Sequence, residues 1–549
     1  MNIFIGGAWP YANGSLHVGH VAGLIPGDVL ARYFRLKGNN VLYVSGSDCH
    51  GTPITIRAKQ EGKSPEEIAE FYHAEFKDCF DKLGFTYDMY TNTRSDFHYK
   101  EVQRIFLKLL ENGCMFKKET EQTYCEHCNQ FLPDRYIKGI CPNCGSEVTG
   151  EQCEKCFTFF DSTDLKNKVC KICNSEPVIR KTSHYYFELS KFQTAIEHYF
   201  ESKKKWWRDN AVNLTKRYLT EGLEDRAVTR DLDYGIPTPI KGFEDKRIYV
   251  WIEAVCGYYT ASKKWALENN KNWEDFWIND KNNNITAYYV HGKDNIPFHT
   301  VILPAILLGL NENLHLPDRI ISSEFLNLEG KKFSTSRNWA VWLPYLLDNY
   351  NPDTIRYFLL NNGPEKSDAD FSWREFIYAN NMDLLGGFGN LVNRIMPFVQ
   401  KHEGNFNDLE VDPKIKEQIA PLYDLVGEQI ENGKFKEALK RIFELVKIAN
   451  KYFDENKPWE LDKTDPQQCR YVIYNCFQMI VNLLRLLEPF IPFCCKKAHS
   501  FIDLPDTKWD YIEVKTIKLT NKPIVLFERI DKAVIQQEID KLKSNNKTK

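Results

Sequence analysis

The feature that most constrains this chain is a device used twice near its start: a short apolar run that closes on small and polar residues. Residues 2 to 6, NIFIG, lead into Gly6, Gly7 and Pro10; PYANGSLHVGHV follows, and apolar spacing from about 18 to 37 predicts a helix. VLYVSGSD at 41 to 48 repeats the pattern, closing on Ser45, Gly46, Ser47 and Asp48. Such units specify an α/β fold with a Rossmann-like parallel sheet, whose ligands sit at the carboxyl ends of the strands. RIYVWIEAV at 247 to 255 and NITAYYVHGKD at 284 to 294 are further strand candidates, the second ending in Gly292, Lys293 and Asp294; a helical signal spans 296 to 309.

From about 118 to 180 the periodic pattern gives way to a stretch rich in Cys, Gly, Asn and Lys, expected to be a small metal-stapled insertion. Beyond about 380 the pattern is helical almost throughout. Phe435, Ala438, Leu439, Ile442, Leu445, Val446, Ala449 and Phe453 recur at spacings of three and four, which gives one apolar face. The last third therefore reads as an α-helical bundle, with only KLKSNNKTK frayed. At about 150 residues per domain, 549 residues predict three or four domains. The net charge of -3 excludes a uniformly basic nucleic-acid coat, so a polyanion must use local basic patches. The start lacks a basic n-region, and no run approaches the roughly 20 apolar residues of a membrane span, so no membrane partner and a cytoplasmic location are expected.

Two groups of residues carry candidate chemistry. His17, Gly19 and His20 sit where the first strand turns into the first helix. Imidazoles at i and i+3 share one side of a helical turn, where they can donate to phosphate oxygens beside the positive end of the helix dipole. Gly19 leaves the backbone bare for a flat base. Eight of the 16 cysteines form C-x-x-C pairs at 125/128, 141/144, 153/156 and 170/173. With no export signal that clustering favours metal over disulfides. It suffices for two structural Cys₄ zinc sites, because four thiolates leave no open coordination position. Spacing alone leaves open whether neighbouring pairs combine or the pairs nest.

PYANGSLHVGH resembles the HIGH signature of class I aminoacyl-tRNA synthetases, in the form seen in methionyl-tRNA synthetases, and GKKFSTSR at 330 to 337 resembles their KMSKS signature. VSGSDCHGTPI, YVWIEAVCGYY and HGKDNIPFH match the same family in the expected order, so the resemblance runs from residue 2 to about 490. It implies that the carboxylate of methionine attacks the α-phosphorus of ATP, supplied with Mg²⁺, and that the acyl group then passes to the 3′ end of tRNA(Met). A carboxylate nucleophile needs no general base, so catalysis reduces to positioning and charge stabilisation. By resemblance His17, Gly19, His20, Lys332, Ser334, Thr335 and Ser336 are catalytic, and Gly292 and Asp294 hold the adenosine. Asp48 holds the substrate ammonium, while Ala8, Trp9, Tyr11, Trp251, Ala254, Tyr258 and His299 form the side-chain pocket. Aromatic packing with a weak polar contact suits a thioether. Asn390, Arg394 and Trp459 match positions that read the CAU anticodon.

The resemblance also implies nested cysteine pairs, an inner site from Cys141, Cys144, Cys153 and Cys156 and an outer one from Cys125, Cys128, Cys170 and Cys173. It divides the chain into a first catalytic half (1–116), the zinc-knuckle insertion (117–232), a second catalytic half (233–322), a linking domain (323–380) and the helical bundle (381–549). No β-barrel follows the bundle, which implies a monomer. Three departures stand out: Trp9 where many relatives carry Leu, Val255 where they often carry Pro, and Thr335 in place of the second Lys of KMSKS, for which Lys331, Lys332 or Arg337 would compensate. Other readings explain less. A zinc-ribbon adaptor leaves HVGH and KFSTS unused; a nucleotidyltransferase leaves the helical third unused. Branched-chain synthetases carry a far larger editing insertion, because one methylene discriminates weakly, and a cysteine enzyme would keep zinc ligands in its catalytic domain.

Overall fold

The two apolar runs that open the chain pair with each other. The computed structural model describes all residues except 133–135, 150–152, 154, 156–161, 282, 504–507 and 548–549. Strands β1 (Asn2–Gly7), β2 (Asn40–Ser47), β3 (Met89–Asn92), β4 (Ile285–Gly292) and β5 (Arg319–Ser323) form a parallel sheet in the order β5-β4-β1-β2-β3. From β1 the chain runs one way to β2 and β3, whereas β4 and β5 are laid down on its other side. The crevice beyond the carboxyl ends of β1 and β4 is therefore the topological switch point, where such sheets bind ligands. Both faces of the sheet are covered, which is why Ile3 to Ile5, Leu42 to Val44 and Ala287 to Val290 read as unbroken apolar runs, each residue at most 3% exposed.

Helix α1 (Val18–Leu36) follows β1 and is buried along most of its length. RIYVWIEAV departs from expectation. Only Arg247–Ile248 is strand; the chain then enters α2 (Val250–Val255) and α3 (Gly257–Asn269). Its β-branched and aromatic residues favour a strand, but tertiary packing decides otherwise: Ile252, Glu253 and Val255 turn inward while Trp251 stays 41% exposed.

The insertion also differs from its sequence reading. Residues Met115–Cys125 and Val178–Phe187 are long antiparallel strands paired from Met115 opposite Phe187 to Tyr124 opposite Val178. The first keeps its middle exposed and the second its first four residues, and the buried alternate positions of the second, Thr182 and His184, are polar, so no apolar alternation marks either strand in the sequence. At the far end the cysteines Cys125, Cys141, Cys153 and Cys170 share a small core with Leu132, Tyr136, Ile137, Val148 and Leu165.

Helix α4 (Pro352–Asn361) leads into the bundle of α5 (Asn390–Lys401), α6 (Pro413–Glu431), α7 (Phe435–Asn456), α8 (Pro458–Thr464), α9 (Pro466–Leu487) and α10 (Pro492–His499). The expected face of α7 is the buried one, all eight residues at 2% exposure or less. The helical expectation fails after α10, where the described residues between His499 and Ala533 form no helix and Thr516–Ile517 pairs with Gly404–Asn405; a helix over Ala533–Lys547 then runs through the stretch expected to fray, as far as the described residues extend.

A buried charge cluster ties bundle to sheet. Arg356 on α4, without solvent exposure, pairs with Asp28 of α1 at 2.7 Å and donates to the carbonyls of Leu83, Pro489 and Phe490. Burial pushes the Asp28 carboxyl up, but the Arg356 and Arg32 guanidiniums overcome this and hold it below the usual range. Removing one partner of such a pair costs about 3–5 kcal/mol.

Candidate functional site

The turn after β1 places His17 at the N-cap of α1. Its Nδ1 accepts the Gly19 N–H at 3.1 Å, and the Nδ1 of His20 accepts the His17 N–H at 3.1 Å. Each Nδ1 is thus an acceptor, so each neutral ring carries its hydrogen on Nε2. The rings stack 3.7 Å apart. A Cβ on Gly19 would lie 2.9 Å from the His17 ring, so the bare backbone there is covered by that ring. Both imidazoles are held neutral: burial and then the neighbouring His20 lower His17, and desolvation lowers His20 to about 4 although solvent reaches its ring.

The second signature meets the first. Phe333 stacks on His17 with centroids 4.7 Å apart and planes within 11°. Val18 N–H donates to Val341 O, and Leu343 N–H donates to Leu16 O. Lys331 and Lys332 form a short exposed strand. The Lys331 ammonium lies 5.0 Å from the Trp339 ring centre, and Arg337 Nε donates to Ser334 Oγ at 3.0 Å. Thr335 is exposed, and the side chain of Ser336 lies outside those described. On the other strand of the switch point, Gly292 ends β4 and Asp294 lies in the following turn, its carboxyl raised by burial against the pull of Lys293.

Around these groups stand the residues expected to hold methionine. Asp48 is 3% exposed and bridges the turn, its N–H donating to Pro10 O while its carbonyl accepts from Ala12 N–H. Burial, and then repulsion from Glu253, raises its carboxyl well above the ordinary range. A bound cation would favour its ionised form. Trp251 Nε1 donates to the Tyr11 hydroxyl at 2.7 Å, and Trp251 packs edge-on against Phe298. His299 Nδ1 donates to Asn295 O, so its Nε2 accepts from the Tyr258 hydroxyl at 2.7 Å. Ala8 N–H donates to Val290 O, which holds that turn against β4, and Ala254 sits half-buried on α2. Trp9 occupies a slot made by absent side chains, since a Cβ on Gly46 or Gly257 would lie 2.6–2.7 Å from its ring.

In the bundle, Arg394 and Trp459 converge on Phe453: the guanidinium lies 4.8 Å from the Phe453 ring centre and Trp459 lies 5.7 Å from it on centroids. Arg394 also pairs with Asp454, and Trp459 is 41% exposed. Asn390 is one turn before Arg394 on the same helix, half-buried.

A family model described as tRNA synthetases class I (M) matches residues 3–396. Methionine–tRNA ligase 1 of Alkaliphilus oremlandii (strain OhILAs) is 54% identical over 543 residues, spanning 99% of this chain and 100% of the relative. The chain belongs to the class I methionyl-tRNA synthetase family. Methionine–tRNA ligase of Bacillus mycoides (strain KBAB4) is likewise 54% identical, over 99% of each chain. A second model, the anticodon-binding domain of tRNA ligase, matches residues 412–549. The fold is shared with Mycobacterium tuberculosis methionyl-tRNA synthetase bound by methionyl-adenylate, at a TM-score of 0.80, 20% identity, 96% of this chain and 100% of that one.

In this methionyl-tRNA synthetase family member the cysteines come together as nested pairs. Cys125, Cys128, Cys170 and Cys173 form one group, with Sγ–Sγ separations of 3.4 Å for 125/173 and 3.9 Å for 128/170. Cys141, Cys144 and Cys153 form the other; Cys156 lies outside the described residues. Both sets have the donor chemistry of zinc ligands.

Three participants escape the sequence reading. Phe333, inside the second signature, covers His17. Phe453 is the shared platform of Arg394 and Trp459. The third is the pair Glu253–His50, 2.5 Å apart and unexposed. Burial pushes Glu253 up and His50 down to about 3, and Tyr99 holds the other His50 nitrogen at 2.9 Å. The one available signal was a lone acid inside an apolar run.

Proposed function

We propose that this chain is a methionine–tRNA ligase, activating L-methionine with ATP to methionyl-adenylate and pyrophosphate and then charging the 3′ end of tRNA(Met). One observation carries the reading: at the switch point of a parallel sheet, Phe333 of one signature stacks on His17 of the other, 4.7 Å away. Residues distant in the chain thus come together at the strand ends where the buried carboxyl of Asp48 also lies.

In this reading Asp48 takes the methionine ammonium, and Tyr258, His299, Trp251, Tyr11, Ala8, Ala254 and Trp9 surround its side chain. Tyr258 gives its hydrogen to His299, so its oxygen presents lone pairs rather than a donor to a bound sulfur. The Nε2–H groups of His17 and His20 donate to phosphoryl oxygens, where charge builds up in the transition state. Gly292 and Asp294 take the adenosine. Ser334, Thr335, Ser336 and Lys332 grip the triphosphate. With Arg337 on Ser334 and Lys331 over Trp339, Lys332 is the cation assigned to the place that Thr335 leaves uncharged. Mg²⁺ bound to the ATP substrate would supply shielding of its phosphate charge. Amino-acid-dependent ATP–pyrophosphate exchange, run with all twenty amino acids, tests the reading; exchange with methionine is expected, and dependence on another amino acid or none rejects it.

For the bundle we assign Asn390, Arg394 and Trp459 to the anticodon. Base stacking on an exposed aromatic contributes about 1–3 kcal/mol per base. Trp459→Ala is expected to weaken tRNA charging about 10–100-fold in kcat/KM while exchange is unchanged; equal loss of both would point to folding instead. In the insertion, two Cys₄ zinc sites would supplement a core too small to hold so short a segment by itself. Strong chelators should therefore accelerate hydrogen exchange throughout residues 120–175 and leave β1 and β4 protected. Unchanged protection in the insertion would exclude the structural metal.

A further inference from the structure

Outside the insertion, a group with the character of a metal-ligand set lies where three bundle helices meet. His402 caps the carboxyl end of α5, Asp462 lies on α8, and Cys469 lies in the first turns of α9. One donor atom from each comes within 4.8 Å of the others. His402 Nε2 is 3.3 Å from Asp462 Oδ1 and 3.9 Å from Cys469 Sγ. Zinc with its usual bond lengths in a tetrahedron requires N–O and N–S edges of roughly 3.3 and 3.6 Å. The imidazole thus stands nearly at zinc-binding spacing from both partners.

The surroundings suit an ion. Cys469 is fully buried, whereas the His402 and Asp462 side chains are 15% and 19% exposed, which leaves an entry path on their side. Cys469 Sγ, which donates to Pro458 O at 3.5 Å, is the buried corner of the group. The other oxygen of Asp462 is paired with Lys401, the outer partner that ligating carboxylates commonly have.

We infer that His402, Asp462 and Cys469 bind a divalent zinc-class cation, joining the ends of α5, α8 and α9. Three protein ligands and a water complete four-coordination. The Asp462 carboxylate and the Cys469 thiolate, whose proton leaves to solvent, supply two negative charges against the cation and the Lys401 ammonium. The site lies apart from the insertion cysteines and from the groups assigned to methionine and ATP. Through α8 it also fixes the base of Trp459.

The test compares full-length wild type, Cys469→Ser and His402→Gln, each equilibrated with Zn²⁺ and freed of loose metal by gel filtration. Metal analysis should find one zinc fewer per chain in both variants than in wild type. Co²⁺ exchange should give wild type a thiolate-to-metal band that His402→Gln weakens and Cys469→Ser reduces by one thiolate's worth. Wild-type far-ultraviolet dichroism in the variants excludes misfolding, and should Cys469→Ser fail to fold, His402→Gln decides alone. Equal zinc content in wild type and a folded variant overturns the site.

Discussion

His20→Ala is expected to slow methionine-dependent ATP–pyrophosphate exchange about 10²-fold, which is about 3 kcal/mol in the transition state, while methionine binds as before. The size follows from the loss of one preorganised donor where phosphoryl charge develops. The selectivity follows from geometry, since His20 stands with His17 at the start of α1, whereas the groups assigned to methionine stand around Asp48. The variant should fold, because the lost acceptor frees only the His17 N–H at a helix start, which costs about 1 kcal/mol. Desolvation lowers both rings, His20 to about 4, so they should put no step into the exchange rate between pH 6 and 8. Exchange kinetics paired with calorimetric titration of methionine check this. Near-normal exchange would remove His20 from the mechanism.

Asp48→Asn is expected to weaken methionine binding about 10²–10³-fold, within the 2–5 kcal/mol that follows removal of one partner from a buried charge pair. A pH dependence accompanies it. Burial and Glu253 raise the Asp48 carboxyl well above its ordinary range, so in the unliganded protein it takes up a proton as the pH falls, while a bound ammonium favours the ionised form. Wild-type affinity should therefore fall with falling pH through that raised range, and the Asn variant should lose this dependence. Stability moves the other way. A raised carboxyl contributes most at low pH and loses its contribution as pH rises through the folded value, so ionised Asp48 burdens the empty fold at neutral pH. Asp48→Asn should be no less stable than wild type in a thermal melt at pH 7.5. A variant that binds methionine normally, or that melts far lower, would show that Asp48 serves the turn rather than the substrate.

Much of this was legible before any coordinates. Strands β1, β2 and β4, helix α1 and the apolar face of α7 follow from short-range pattern, because burial on one or both faces writes a period into the sequence. Two long strands of the insertion and the helix over Val250–Val255 did not follow. The first expose much of their length and bury polar residues such as Thr182 and His184 where apolar ones would mark a strand, and in the second the direction of Glu253 and Trp251 is imposed by partners far away in the chain.

The residue types alone determined the chemistry available: paired histidines at a helix start, a lone carboxylate after β2, lysines and hydroxyls in one loop, thiols in pairs. What only the tertiary structure decided is which of these meet. Sheet order sets β1 beside β4, the stack of Phe333 on His17 closes the two signatures together, and the long hairpin brings 125/128 to 170/173. Protonation was decided there too, because desolvation and neighbouring charge depend on what packs around a group rather than on its place in the chain: His20 is held neutral and the Asp48 carboxyl is raised.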